Sequence, residues 1–306
     1  MSLGQPAWPT ETALVVSAPG PGPGHWAGAP SAVVDGDLTY LAYRLRRPVE
    51  EGRGHGNVLA RSTDGVTFET VGVLAKETFG AESLERPALV RAEDGRWRLY
   101  VSCATPGTKH WRVDLLEADT IEGLATAVPR TTLTGDATYG VKDPVLLRHR
   151  GVWHLWASCH PLEDPDATDR MTTEHATSED GMGWTWHGTA LAGRPGRWDA
   201  RGVRISSVWF DGTTPMALYD GRASAAENWE ERTGLAVGAD VGLGRFEAVG
   251  EAPVAESSYA GNGLRYVSVV EVVGVHRAYY EVARPDGAHE LRMAVLPRFH
   301  VPVAPG

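Results

Sequence analysis

Apolar runs broken by glycine turns recur five times along the chain: "GAPSAVVDGDLTYLAYRLR", "ERPALVRAEDGRWRLYVSCAT", "KDPVLLRHRGVWHLWASCHP", "RISSVWFDGTTPMALYDGRAS" and "LRYVSVVEVVGVHRAYYEVAR". Each reads as an extended strand, a tight turn and a second strand rich in aromatic residues, which is the pattern of a β-hairpin. The turns fall at Asp35-Gly36, Asp94-Gly95, Arg150-Gly151, Asp211-Gly212 and Val273-Gly274. Pro30, Pro87 and Pro144 stand 57 residues apart, and the last two turns follow at intervals of 61 and 62. A second signal lies out of phase with the first: "STDGVTF" from Ser62 and "SEDGMGW" from Ser178 are 116 residues apart, two periods. Their Ser and Asp side chains bond nearby backbone N–H groups while glycine takes the positive φ. Each repeat therefore carries two hairpins, a four-stranded antiparallel sheet that cannot cover its own faces and must stack on its neighbours around an axis. The pattern predicts an all-β chain: a five-bladed β-propeller of four-stranded antiparallel blades. It is read as one domain over residues 1–306, with blades starting near 26, 84, 141, 201 and 262, and with "TALVVSA", in residues 1–20, closing the ring as an outer strand.

Composition narrows the function. A net charge of −10 lacks the basic surface that nucleic acid or an anionic membrane requires, so neither is an expected partner. Eleven Trp against five Phe suits flat, sugar-like ligands in a turn-rich fold. Cys103 and Cys159 occupy equivalent places in their repeats and are too few for a disulfide framework, and the first twenty residues lack a secretory pattern, so a cytoplasmic setting is expected. There is no H-E-x-x-H and no C-x-x-C, so neither a metal nor a cofactor is expected.

The first strand of a propeller blade lies nearest the axis, and proline belongs at a strand's start. Gly28-Ala29, Glu85-Arg86 and Lys142-Asp143, each before a repeat proline, are therefore expected around one end of a central funnel. Charges unwelcome in a packed core fit a solvated axial pocket.

The repeats, the X-D-P-type openings and the S-x-D-G turns resemble the five-bladed glycosidase superfamily, which includes family 43 and family 32 hydrolases and the family 130 mannoside phosphorylases and hydrolases. "KDPVLL" from Lys142 and "WDARGVRISSVWFDGTTPMALYDGR" from Trp198 are similar to family 130 segments. The resemblance implies a small carbohydrate substrate, phosphate too if the chemistry is phosphorolysis, and an acid–base set of carboxylates. Asp143, Glu85 and Asp220 are the expected catalytic residues. Trp26, Arg44, Arg86, Lys142, His160, Asp199, Arg201 and Arg222 are expected to contact substrate. The chain departs from the pattern at two places. Ala29 stands where family 43 has its base, and Arg86 where family 130 has a second acid. Either the acids have moved to other blades or hydrolysis has been lost, which leaves a glycosidase-like enzyme, a glycoside phosphorylase and a non-catalytic carbohydrate-binding propeller all open. Glu227 and Glu231, four apart, read as one solvated face of a short helix.

Overall fold

The computed structural model describes residues 8–259 and 261–297. Strand β1 (Ala13–Val16) precedes four strands joined by short turns, β2 (Trp26–Asp35), β3 (Leu38–Arg46), β4 (Gly54–Ser62) and β5 (Glu69–Ala75). Next come β6 (Leu84–Arg91), β7 (Trp97–Ala104), β8 (Trp111–Ala118) and β9 (Arg130–Leu133), then β10 (Tyr139–His149), β11 (Val152–Pro161), β12 (Thr172–Ser178) and β13 (Thr185–Leu191). The chain continues through β14 (Gly202–Asp211), β15 (Thr214–Arg222), β16 (Arg232–Gly238) and β17 (Phe246–Val249) to β18 (Leu264–Val272), β19 (Val275–Ala283) and β20 (His289–Leu296).

Strands β6–β9, β10–β13 and β14–β17 form three separate four-stranded antiparallel sheets. The remaining eight strands divide at a single parallel bridge, Trp26 to His289, into β2–β5 on one side and β18–β20 with β1 on the other. The molecule is thus a five-bladed β-propeller, and the outer strand of its last blade, β1, comes from the other end of the chain. Inner strands β2, β6, β10, β14 and β18 each pack on the next around a closed ring.

The blades are held by apolar burial at their junctions, where the described residues form five clusters. Leu59, Leu89 and Leu99 fill the first junction, Tyr100, Leu115 and Leu155 the second, and Trp156, Ile205 and Phe246 the third. Leu218, Leu235 and Val267 fill the fourth, while Leu41, Tyr279 and Leu291 close the ring. Side chains of this size contribute about 1.5–3 kcal/mol each when fully buried.

The S-x-D-G turns tie blades together as well as turning the chain. In the first, the Gly65 N–H donates to Ser62 Oγ at 2.9 Å and the Val66 and Thr67 N–H groups donate to Asp64 Oδ1 at 2.7 Å. Gly65 sits at φ 77°, which turns its carbonyl toward blade five, where the Tyr279 hydroxyl donates to it at 2.8 Å. Two repeats later Gly181 does the same at φ 76°, accepting from the Tyr100 hydroxyl of blade two at 2.6 Å. The turn is a latch between neighbouring blades, a role its sequence does not announce.

Candidate active site in the axial cavity

Every inner strand breaks register with its neighbour at the same level: between Gly28 and Ser31, Leu84 and Pro87, Lys142 and Val145, Ile205 and Ser207, and Arg265 and Ser268. Bulges of this kind re-aim side chains at barrel and propeller mouths. Ala29, Asp143 and Tyr266 reach positive φ there, at 50°, 53° and 55°. For an aromatic residue such as Tyr266 that conformation is an outlier which the surrounding structure must hold in place. The bulges face a cavity of about 380 Å³ at the end of the axis where the inner strands begin.

Six of the sequence-predicted site residues line this cavity: Glu85, Trp26, Arg44, Lys142, His160 and Arg222. Asp143 and Asp220 lie just behind its wall and are fully buried. Arg204 bridges the two, its Nη1 donating to Asp143 Oδ2 at 3.1 Å and its Nη2 to Asp220 Oδ2 at 2.8 Å. The Tyr266 backbone N–H donates to Asp220 Oδ1 at 3.0 Å, and the Ser102 hydroxyl accepts from the Asp143 N–H at 2.8 Å. Arg86, Asp199 and Arg201 do not line the cavity. Arg86 donates to the Pro30 and Ser206 carbonyls and borders a second cavity of about 340 Å³ where the inner strands end, so it sits across the axis as a plug. Asp199 accepts from Arg194 and from the Tyr219 hydroxyl, each at 2.8 Å. Arg201 is engaged by Asp169 at 2.7 Å, and Asp169 is the member of that pair on the cavity wall.

Sequence reasoning missed several wall residues. Glu231 is buried rather than solvated, because the helical turn stops at Glu227 and the chain then enters β16. Its two oxygens accept from Arg222 and from Arg265, the latter at 2.5 Å. Arg265 also donates through Nε and Nη2 to Glu281 Oε1 at 3.0 and 2.8 Å. Arg44 joins Glu281, at 2.8 Å, to Glu85. The result is a chain of alternating charge, Glu85, Arg44, Glu281, Arg265, Glu231, Arg222, running through four blades. Arg46, Trp111, Trp229 and Tyr266 complete the wall.

Ionisation follows from this wiring. Burial pushes the carboxyl of Glu85 up, but Arg44, Lys142 and Arg46 outweigh it and hold the group below its ordinary value. Glu231, buried between two guanidiniums, is likewise held low. Asp143 is held near a pKa of about 2 because Lys142 and Arg204 overcome its burial. Asp220 goes the other way: burial wins over Arg204 and raises it. Burial also lowers Lys142, whose ammonium stands 4.7 Å from the Trp111 ring centroid. His160, buried beside Lys142, is pushed down to about 3 and stays neutral, its Nδ1 facing the Thr168 carbonyl at 2.8 Å. The wall therefore offers ionised carboxylates, a neutral imidazole and an excess of cations, and behind it Arg204 covers the raised carboxyl of Asp220.

No protein family and no curated protein matches the sequence. Solved structures do. A thermostable family-43 glycoside hydrolase superposes with a TM-score of 0.70 at 15% identity, over 90% of this chain and 91% of that one. The RS223 β-xylosidase gives 0.69 at 14%, over 94% and 96%. A structure from the GH130 family of mannoside phosphorylases, a family reported with it to contain glycoside hydrolases that target β-1,2 mannosidic linkages in Candida mannan, gives 0.65 at 14%, over 96% and 99%. At these identities what is shared is the fold, and it is shared over nearly the whole of each chain. The chain resembles the propeller glycosidases in architecture.

Proposed function

We propose that this propeller is a carbohydrate-active enzyme that cleaves a small glycoside in the axial cavity. The observation that carries the reading is the placement of Glu85. It belongs to the inner-strand bulge of blade two, is held ionised, and shares one cavity wall with a second carboxylate, Glu231, and with Trp26, Trp111 and Trp229. Trp26 is buried against His289 and Arg46, so Trp111 and Trp229 are the indoles whose faces suit a sugar ring, and an ionised carboxylate suits the activation of water or attack on an anomeric carbon. In this reading Glu85 is the base or nucleophile and Glu231 its partner in the cavity wall. Asp143 and Asp220, set behind the wall, act through Arg204, Lys142 and Tyr266 as positioning residues. Phosphorolysis is the same reading with phosphate in place of water, held by the wall cations. The whole chain is taken as one domain. A cytoplasmic setting fits its two buried free thiols, Cys103 and Cys159.

A second reading, a sugar-binding propeller without turnover, draws on Ala29 at the blade-one opening and on the pairing of Glu85 and Glu231 with arginines. Release of reducing sugar or sugar phosphate from a glycoside panel, with and without phosphate, separates the two. Turnover that Glu85→Gln lowers by about 10²–10⁴-fold supports the enzyme. Saturable sugar binding with no turnover on any glycoside supports the binder.

A further inference from the structure

The cations of the cavity wall are not equally engaged. Arg44, Arg204 and Arg265 are each shared between two carboxylates, and Arg222 is paired with Glu231. Arg46 is different. It lies opposite Trp26 in the β2–β3 ladder and is 2% exposed, and among the described residues no carboxylate comes within ion-pair distance of it. Its Nε has no hydrogen-bond partner. Its guanidinium carbon stands 4.1 Å from the Trp26 ring centroid and 5.0 Å from that of Trp229. Trp26 is backed in turn by the His289 ring at 4.6 Å, and Trp229 is held at φ 78°. Glu85 acts on Arg46 from further away, but its ion pair belongs to Arg44. A buried guanidinium stacked on indoles, with no ion-pair partner among the described residues and with Arg44, Arg53 and Arg265 acting on it, is costly unless a counter-charge arrives. Burial accordingly lowers its pKa to about 10.

We propose that the substrate sugar carries a carboxylate, as a uronic acid residue does, and that Arg46 receives that carboxylate between Trp26 and Trp229. This rests on the carbohydrate reading above and specifies its substrate class. The exposed Trp229 indole places the anion beside a surface suited to a sugar ring, so the charge is best carried by the ring itself. The planar fork of a guanidinium matches a planar carboxylate with two parallel hydrogen bonds. A free phosphate dianion would call for further uncommitted cations at the same spot, whereas the neighbouring Arg44 and Arg265 are locked to Glu85, Glu231 and Glu281 and Arg53 reaches Glu82 at 3.6 Å.

Calorimetry on the whole chain tests this, with methyl glucuronide and methyl galacturonide against methyl glucoside and methyl galactoside, and with inorganic phosphate alone and as competitor. The uronides are expected to bind about 10- to 100-fold more tightly than their neutral counterparts, the range of a charge-assisted hydrogen bond. Arg46→Gln should bring the two classes to within about threefold while thermal stability holds or rises, because an unpaired buried cation has been removed. Arg46→Lys should keep part of the preference, since the charge remains and the fork is lost. Equal affinity for charged and neutral sugars in the wild type overturns the inference and leaves the carbohydrate reading standing. So does a uniform loss of affinity for both classes in Arg46→Gln, which would make Arg46 a packing residue. Phosphate that displaces the uronide and loses its own binding in Arg46→Gln reassigns the residue to a free anion and overturns it too. Failure of every sugar to bind overturns the inference together with the reading beneath it.

Discussion

A Cβ placed on Gly28 would fall 2.2 Å from Glu281 Oε2. Gly28 opens blade one, where the resemblance led one to look for an acid next door at Ala29, and the space beside it is filled by a carboxylate from blade five. Glu281 is fully buried and tied to Arg44, Arg265 and His289. Blade one therefore has a glycine because blade five supplies the charge. Gly28→Ala should destabilise the protein by about 1–3 kcal/mol, the usual cost of overpacking. Urea unfolding measures it, and a change below about 0.5 kcal/mol, the scatter of neutral surface substitutions, would mean the glutamate yields freely.

Arg204 holds Asp143 and Asp220 with one guanidinium, and all three side chains are at most 2% exposed. Removing the cation leaves Asp220 with no ion-pair partner among the described residues and Asp143 with Lys142 alone, at 3.6 Å. Arg204→Met should cost about 3–5 kcal/mol, as breaking a buried ion pair does. The triple variant Arg204→Met, Asp143→Asn, Asp220→Asn should recover part of that loss, because neither buried carboxylate is left without Arg204, and the recovery stays partial because Lys142 then loses Asp143. Chemical denaturation of the two variants side by side decides it: a triple variant no more stable than the single one would rule out stranded charge as the cause.

The fold was more legible in the sequence than the site. Hairpins announce themselves locally, since Asp35-Gly36 or Asp94-Gly95 between extended runs needs only its neighbours to be recognised. The pairings in the cavity are set by how the ring closes. Glu231 meets Arg222 nine residues away and Arg265 thirty-four residues away, separations with no local signature. Its spacing from Glu227 mimics a helix face, and only the end of the helical turn at Glu227 removes that reading. Arg46 gives no sequence signal for a related reason: a basic residue at a strand end reads as solvated, and only the fold brings Trp26 and Trp229 over it.

Acid should loosen blade three. His154 Nδ1 and His175 Nε2 stand 3.1 Å apart, with the His187 ring 5.3 Å from that of His175. Burial, then His154 and His187, lower His175 to about 4, and burial lowers His154 as well. A histidine depressed in the fold from 6.5 gives stability that is complete above pH 6.5 and fades as pH falls toward about 4. The melting temperature should therefore drop between pH 7 and pH 4.5, and His175→Gln should flatten that slope. Parallel melting curves for wild type and variant across this window would refute the assignment to His175.

Glu231 tests whether the charged wall is machinery or scaffold. Both of its oxygens are taken by arginines, so Glu231→Gln weakens two contacts at once and should cost about 3–5 kcal/mol of stability if the network is scaffold alone. As the second wall carboxylate it should do more. With the variant assayed well below its melting temperature, kcat should fall by about 10²-fold or more while KM moves little, the signature of an interaction made in the transition state. Removing one negative charge from a cavity already rich in cations should also tighten binding of any anionic ligand, since Arg222 and Arg265 are then less neutralised. A variant whose kcat survives while its stability falls would make Glu231 a strut between blades four and five, and would leave Glu85 as the carboxylate on which any turnover depends.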